Sequence, residues 1–240
     1  MNVMQSSLPT ISLVLPTFME QDNILHVLHE SVAFLERLGI LWEIIVIDNH
    51  SEDGTAGIVR GFIQEKPNVR LIIHDQNQLY SGSCKTAIRE AKGTYIAILD
   101  SDRQVTAEDI PKFLAKLKDG ANLVIGWRRK RHDSFARSLI TWVFNKLGKV
   151  WLQCPLHDLN CGFRMFDRHF AAMAEIKHRI NMVNPELYVR ARCADQIVDE
   201  VEIQYFKRTA GVTSHNLLKI FNIFIDVNRY MMTLRKELKR

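Results

Sequence analysis

Two carboxylates and an amide follow a short apolar run near the middle of the chain. Residues 94–99 are rich in β-forming side chains, as expected of a parallel strand covered on both faces. Asp100, Asp102 and Gln104 follow at a spacing of two, so a chain that stays extended would place all three on one side. Their oxygens suit Mg²⁺ or Mn²⁺, which usually share their ligands with substrate phosphates. The other interpretation, a helix start with acids in its first turn, is favoured by this segment alone.

Composition limits the classes of protein to which the chain can belong. Its 240 residues are 47% hydrophobic, enough for one domain or for one domain with an appended segment. The net charge of +5 is concentrated in residues 127–131 and 235–240, which fits phosphate groups, an anionic membrane surface or nucleic acid. The four cysteines have neither CxxC nor zinc-finger spacing, so we expect buried thiols in a reducing compartment. With no visible signal peptide or apolar run of membrane-spanning length, we expect a cytoplasmic protein.

Strand and helix patterns alternate through the first half of the chain. This alternation predicts an α/β fold with a mostly parallel sheet flanked by helices, in which ligands bind beyond the carboxyl ends of the strands. The predicted strands are residues 11–16, 42–47, 69–73, 95–99 and 122–126. The predicted helices between them are residues 21–38, 52–64, 82–91 and 108–118.

The pattern changes after residue 126. The remaining segments are a helix at 135–151, a turn and strand at 158–166, a helix at 184–193, a strand at 198–206 and an amphipathic helix at 217–240. We therefore predict one domain over residues 1–213 and a helical extension over residues 214–240. The apolar face of the extension can either pack on the domain or lie on a membrane surface.

A further candidate group ends the second predicted strand. Asp48 could accept a hydrogen bond from a nucleobase or a ribose, or it could begin the next helix together with Ser51. No GxxxxGK[ST] segment occurs, and no GxGxxG segment follows the first strand. Both absences argue against ATP hydrolysis and against hydride transfer from a dinucleotide.

Taken in order, these motifs resemble family 2 glycosyltransferases of the GT-A fold. The early features are residues 14–17, 48–55, Asn77 and the pair Asp100 and Asp102. The later ones are similar to the dolichol-phosphate mannosyltransferase branch, one of the polyprenyl-phosphate glycosyltransferases. They are residues 126–128, Arg137, 158–164, Glu186 and 208–213. One departure is Asn49, which stands beside Asp48 where the family commonly has an acid.

The resemblance implies a role for each matched position. The residues implied to bind the nucleotide sugar are Pro16, Thr17, Glu20, Asp48 and Asp100. Those implied to hold Mg²⁺ or Mn²⁺ are Asp100, Asp102 and Gln104. Those implied to meet the acceptor phosphate are Arg128, Arg137, Ser138 and Arg208. The catalytic set is Asp102, Arg128, Asp158 and Arg208. The chemistry of the residues agrees, because arginine matches phosphate geometry bidentately and a broken glycosyl–diphosphate bond leaves negative charge to stabilise.

The choice of acceptor depends on whether a general base is present. A sugar hydroxyl must lose a proton as it attacks, whereas a lipid phosphate is already anionic. We predict a metal-dependent, inverting transfer of a hexose from GDP-mannose or UDP-glucose to a polyprenyl or dolichyl phosphate. The protein would be peripheral on the cytoplasmic face of a membrane and would not bind nucleic acid. The alternatives are transfer to a saccharide hydroxyl, with Asp158 or Glu186 as the base, and a non-catalytic domain that binds a nucleotide sugar or a membrane.

Overall fold

A seven-stranded sheet with helices on its faces forms the body of the protein in a computed structural model, which describes residues 8–129, 135–177, 182–207 and 217–238. The strands are β1 (Ile11–Thr17), β2 (Trp42–Asp48), β3 (Val69–Ile73), β4 (Tyr95–Ile98), β5 (Leu123–Trp127), β6 (Arg164–Asp167) and β7 (Val198–Glu202). The helices are α1 (Ile24–Arg37), α2 (Thr55–Ile63), α3 (Leu79–Glu90), α4 (Ile110–Lys118), α5 (Phe135–Leu152), α6 (Arg168–Met173), α7 (Val183–Cys193) and α8 (Leu217–Glu237). The predicted α/β class is confirmed.

The strand order, β3-β2-β1-β4-β6-β5-β7, determines which segments meet at the site. Strands β3, β2, β1 and β4 run parallel to one another, and every residue of β1 is buried, as expected for a strand covered on both faces. Strand β6 lies antiparallel between β4 and β5, with Arg164 paired to Ile98 on one side and to Ile125 on the other. The start of β6 therefore lies at the same edge of the sheet as the carboxyl ends of β4 and β5.

The ends of the predicted elements agree with this structure to within three residues, except near residues 158–173 and at β7, which ends at Glu202 and not at residue 206 as predicted. The segment predicted as a strand from 158 to 166 contributes only Arg164–Asp167 to the sheet, because a turn occupies residues 159–160. The short helix α6 was not predicted. It is capped by Asp167, whose carboxylate accepts a 2.6 Å hydrogen bond from the backbone N–H of Phe170.

Helix α8 packs on the domain through the part for which side chains are described. Val227, Met231 and Leu234 are buried in the core, and Nε1 of Trp151 on α5 donates to Asn228 at 2.9 Å. These contacts favour the packing alternative for residues 225–238, while the separate extension at 214–240 stays a prediction. Across the described ranges, the helices all fall short of the length and apolarity needed to cross a membrane.

Candidate functional site

A cavity of about 270 Å³ lies at the carboxyl ends of β1 and β4. It is lined by Pro16, Phe18 and Glu20 after β1, Asp100, Ser101 and Asp102 after β4, Tyr80 on α3, and Asn160, Cys161, Gly162 and Arg164 around the start of β6. Asp100 and Asp102, the pair singled out first from the sequence, thus lie in one cavity with Glu20, at the edge where α/β sheets bind ligands.

Two other clefts, of about 460 and 590 Å³, lie away from these carboxylates. The first lies at the opposite edge of the sheet, where Glu43 accepts hydrogen bonds from Ser12 at 2.6 Å and from Arg70 at 2.9 Å. Its polar groups satisfy one another, which indicates a structural cluster. The second lies between α4 and β7. The smaller cavity is therefore the candidate site on chemical grounds.

The chain does not stay extended after β4. Arg103 adopts a left-handed backbone with φ of 62°, and the backbone N–H of Gln104 donates to Oδ1 of Asp102 at 3.1 Å. Asp100 and Asp102 both line the cavity, but Gln104 is buried outside it, and its carbonyl accepts from the N–H of Phe206 at 2.8 Å. The extended geometry from which we expected three ligands on one side is therefore wrong, and a metal-binding role for Gln104 stays a prediction.

Asp100 is held from two sides. The Tyr80 hydroxyl donates to its Oδ1 at 2.7 Å, and Nη2 of Arg164 donates in turn to the Tyr80 oxygen. On the other side is Gly162, where an added Cβ would lie 1.7 Å from Oδ2 of Asp100. The carboxylate therefore lies between a hydrogen-bond donor and a backbone that has no room for a side chain.

Ser101 ties the end of β4 to the end of β1. Its hydroxyl donates to the carbonyl of Pro16 at 3.1 Å and lies 2.9 Å from the hydroxyl of Thr17. Thr17 is buried and is not among the cavity-lining residues. In this arrangement Thr17 holds the two strand ends together, while Pro16 and Glu20 face the cavity.

Asp48 carries a buried acceptor without a partner. It lies in register with Thr17 on the neighbouring strand, and its side chain is buried. Its Oδ1 accepts from the backbone N–H of Ser51 at 3.2 Å, whereas its Oδ2 has no hydrogen-bond partner in the described part of the chain. Because buried polar atoms are nearly always satisfied, this oxygen fits a donor supplied by a ligand.

A polar cluster stabilises the loops beside Asp48. The Asn49 side-chain oxygen accepts from the N–H of Gln78 at 2.9 Å and lies 2.9 Å from Nδ1 of His74. The other ring nitrogen of His74 lies 2.9 Å from the Thr86 hydroxyl. Burial and the positive charge of Arg89 lower the pKa of His74, although Asp48 and Asp75 oppose this. The neutral imidazole therefore links the end of β3 to α3.

Arg128 and Asp158 form a buried, bidentate ion pair. Nε and Nη2 of Arg128 donate to the two carboxylate oxygens of Asp158 at 2.6 and 3.0 Å, and Nη2 also donates to the carbonyl of Asn160 at 2.8 Å. The side chains are 9% and 4% exposed. Burial lowers the pKa of Arg128, but the hydrogen bonds and charge of Asp158 outweigh it, so the net pKa is raised. The pair positions Asn160, a residue of the cavity wall.

Glu186 lies in the first turn of α7 and is fully buried. Its Oε1 accepts from the Tyr230 hydroxyl on α8, and its Oε2 accepts from the backbone N–H of Lys177 at 2.7 Å. Glu186 does not line the cavity. Its contacts anchor α8 to α7.

Three predicted phosphate-binding residues are described only in part. Ser138 is half-buried on α5. The side chain of Arg137 and the whole of Arg208 lie outside the described residues. Their roles stay predictions.

The donor set at the cavity fits a divalent cation that is bound together with a substrate. Within the described ranges, no group of three or more His, Cys, Asp and Glu side chains could hold a metal ion. Asp100 and Asp102 provide two hard carboxylates in one cavity. Mg²⁺ is typically bound by one or two carboxylates together with phosphate oxygens and water, so this pair suits a cation that arrives with a diphosphate.

Sequence reasoning gave no role to Tyr80, Gly162 or Arg164, which complete the surroundings of Asp100. Gly162 and Arg164 fall within the 158–164 motif, so a signal was present. Their contact with Asp100 depends on the antiparallel insertion of β6, which local patterns do not reveal.

Comparison with known proteins finds a match to the model of glycosyl transferase family 2 over residues 12–172. An undecaprenyl-phosphate 4-deoxy-4-formamido-L-arabinose transferase of Shewanella sediminis is 26% identical over 93% of this chain and 67% of its own length. A dodecaprenyl-phosphate galacturonate synthase of Rhizobium johnstonii is 24% identical over 94% of this chain and 67% of its own length.

Solved structures share the fold. A glucosyl-3-phosphoglycerate synthase from Mycobacterium tuberculosis, crystallised with Mn²⁺, UDP-glucose and phosphoglyceric acid, has a TM-score of 0.71 at 17% identity, covering 95% of this chain and 79% of that one. Another mycobacterial protein has a TM-score of 0.73 at 19% identity, covering 95% of this chain and 75% of that one. The predicted GT-A architecture is confirmed.

Proposed function

Because this chain belongs to glycosyl transferase family 2 and is therefore a glycosyltransferase, we propose that it transfers a sugar from a nucleoside-diphosphate donor to a polyprenyl phosphate. The observation that carries the proposal is the meeting of Asp100 and Asp102 in one cavity. The names of the two relatives, which describe transferases acting on polyprenyl phosphates, support the class of acceptor.

The donor would bind along the ends of β2, β1 and β4. The unpartnered Oδ2 of Asp48 is suited to accept from the imide edge of a base or from a ribose hydroxyl. Asp100 and Asp102 would hold Mg²⁺ or Mn²⁺ at the diphosphate, as the neighbouring structure with Mn²⁺ and UDP-glucose suggests. When bound, the cation would stabilise the charge that develops on the departing diphosphate.

The two candidate bases, Asp158 and Glu186, are both engaged in hydrogen bonds away from the cavity. Both oxygens of Asp158 accept hydrogen bonds from Arg128, and both oxygens of Glu186 accept hydrogen bonds from Tyr230 and Lys177. Neither carboxylate lines the cavity. These contacts favour an acceptor that arrives as an anion over a saccharide hydroxyl, which needs a base.

In the proposed reaction, a phosphate oxygen of the lipid attacks the anomeric carbon of the donor sugar. The bond from that carbon to the nucleoside diphosphate breaks in the same displacement, which inverts the configuration. Arg128, Arg137, Ser138 and Arg208 are the candidates to bind the acceptor phosphate. The hydrogen bonds from Arg128 to Asp158 come from Nε and Nη2, which makes Nη1 its candidate donor to the phosphate. A lipid acceptor would also bring the protein to the cytoplasmic face of a membrane.

The test is transfer of label to a lipid. The protein is incubated with Mn²⁺ or Mg²⁺, radiolabelled GDP-mannose, UDP-glucose or UDP-galacturonate, and a short polyprenyl phosphate. We expect label in the organic phase from one donor, and none with Asp102→Ala. Asp119→Ala, which alters an exposed carboxylate at the end of α4, is the matched control and should transfer normally. Label found only on added saccharides would contradict the lipid acceptor, and activity of Asp102→Ala would contradict its role.

A further inference from the structure

Arg164 is a buried cation at the edge of the candidate site. Its side chain is fully buried at the start of β6, and no carboxylate lies within ion-pair distance of it among the residues that the structure describes. Its Nε has no hydrogen-bond partner, and its Nη1 has only a distant contact, 4.0 Å from Sγ of Cys84. Because a buried charge without a directly bonded counter-ion is destabilising, the link from Arg164 through Tyr80 to the carboxylate of Asp100 is a candidate for a functional role.

Two hydrogen bonds link Arg164 through Tyr80 to Asp100, and their donors and acceptors can be arranged in only one way. A guanidinium can only donate, so the Tyr80 oxygen must accept from Nη2 of Arg164. The single hydroxyl hydrogen of Tyr80 is then directed to Oδ1 of Asp100, 2.7 Å away. A phenol has an ordinary pKa of about 10, so it keeps this hydrogen at physiological pH.

We propose that Tyr80 and Arg164 are positioning residues for Asp100, which fix the rotation of its carboxylate for the cation and the donor diphosphate. This inference rests on the function proposed above. Arg164 also donates to the carbonyl of Gly162 at 3.0 Å, so one guanidinium holds both the tyrosine that orients Oδ1 and the glycine that faces Oδ2.

The expected size of the effect follows from what hydrogen bonds to ligating carboxylates contribute. Removing such a partner typically weakens metal affinity by 10- to 100-fold, because the ligand is no longer held in its binding orientation. Tyr80→Phe removes the hydroxyl and keeps the ring. We therefore expect Mn²⁺ affinity to fall by about 10-fold, with an equal rise in the Mn²⁺ concentration needed for half-maximal transfer.

The experiment measures free Mn²⁺ by electron paramagnetic resonance during titration of the protein, with and without UDP. Tyr95→Phe is the matched control, because Tyr95 is half-buried on β4 and no side-chain hydrogen bond is described for it. We expect wild type and Tyr95→Phe to bind alike and Tyr80→Phe to bind about 10-fold more weakly. Unchanged binding by Tyr80→Phe would overturn the inference while leaving the proposed function intact. Absence of binding by the wild type would overturn both.

A second variant tests whether Arg164 acts through Tyr80. Arg164→Met removes the charge at similar volume, and the double variant with Tyr80→Phe completes a cycle. If the two residues act as one unit, the double variant binds Mn²⁺ no more weakly than the weaker single variant. If the two losses of Mn²⁺ affinity are fully additive in the double variant, Arg164 does not act through Tyr80. Where Arg164→Met fails to fold, Tyr80→Phe and its control decide the question.

Discussion

Gly162 and Asp100 are in direct contact across the cavity. A Cβ on Gly162 would lie 1.7 Å from Oδ2 of Asp100 and 2.3 Å from its Cγ, far closer than atoms that are not bonded can approach. Since the backbone at 162 continues into β6, an added side chain would have to displace the carboxylate of Asp100. The absence of a side chain at 162 is therefore a condition for the carboxylate position.

Gly162→Ala should displace Asp100. We expect at least a 10-fold loss of Mn²⁺ binding, by analogy with the loss of a partner of a ligating carboxylate, and a destabilisation of about 1–3 kcal/mol from overpacking. Gly61→Ala on α2 is the control, because nothing lies within 4 Å of its added Cβ. It should stabilise the protein by about 0.5–1 kcal/mol without affecting binding. Measurements are Mn²⁺ titration and thermal unfolding. Wild-type affinity of Gly162→Ala for Mn²⁺ would show that the Asp100 carboxylate can bind the cation from a displaced position.

The parts of the site that lie at the ends of parallel strands were predictable. The apolar runs before Asp48 and Asp100 indicate buried strands, and parallel strands bring their carboxyl ends to one edge. The pairing of Thr17 with Asp48 follows the same register. The positions of Asp48 and Asp100 at this edge therefore follow from patterns that are local in the sequence.

The surroundings of Asp100 were not predictable in this way. Tyr80 and Arg164 are 84 residues apart and meet only because β6 runs antiparallel between two strands of the opposite direction. Nor could spacing reveal that Arg103 turns the chain and buries Gln104 away from the cavity. Both features depend on tertiary packing.

Asp48→Asn tests the unpartnered acceptor. Because Oδ2 of Asp48 has no partner among the described residues, the amide should cost little stability. It replaces a charged acceptor by a neutral one, and a hydrogen bond to a charged group contributes about 1.5–3 kcal/mol against about 1 kcal/mol for a neutral one. We expect nucleotide affinity to fall by about 10-fold, as measured by calorimetry with UDP and with GDP. Asp75→Asn, at an exposed carboxylate in the loop after the neighbouring strand β3, should bind normally. Equal affinities for both variants would contradict a contact between Asp48 and the nucleotide.

Tyr230→Phe tests the attachment of α8. The variant removes the hydrogen bond that the Tyr230 hydroxyl donates to the buried carboxylate of Glu186, and a hydrogen bond to a charged group contributes about 1.5–3 kcal/mol. For a chain of this length, a loss of about 2 kcal/mol lowers the melting temperature by about 4–8 °C. Tyr95→Phe should unfold close to the wild-type temperature. If this hydrogen bond does not stabilise the packing of α8, Tyr230→Phe and Tyr95→Phe will have the same melting temperature. Transfer at 20 °C should be normal in both, because Glu186 does not line the cavity.

The buried imidazole of His74 predicts how stability depends on pH. Burial and Arg89 lower the pKa of His74 in the folded protein below its ordinary value of 6.5, so the unfolded chain binds the proton more readily. Between the lowered pKa and 6.5, the unfolded state holds more protons, and stability therefore falls as the pH falls. The stabilisation is complete above pH 6.5, decreases below it, and becomes constant below the pKa of the folded state.

His74→Gln removes this titration and keeps a side chain able to form hydrogen bonds with Asn49 and Thr86. We expect the free energy of unfolding of the wild type to decrease more steeply between pH 7 and 5 than that of the variant, in urea titrations at each pH. Above pH 7 the difference between the two proteins should be constant. Parallel curves down to pH 5 would mean that His74 accepts a proton in the folded state as readily as in the unfolded chain. In that case the link from Asn49 to Thr86 would not depend on a neutral ring.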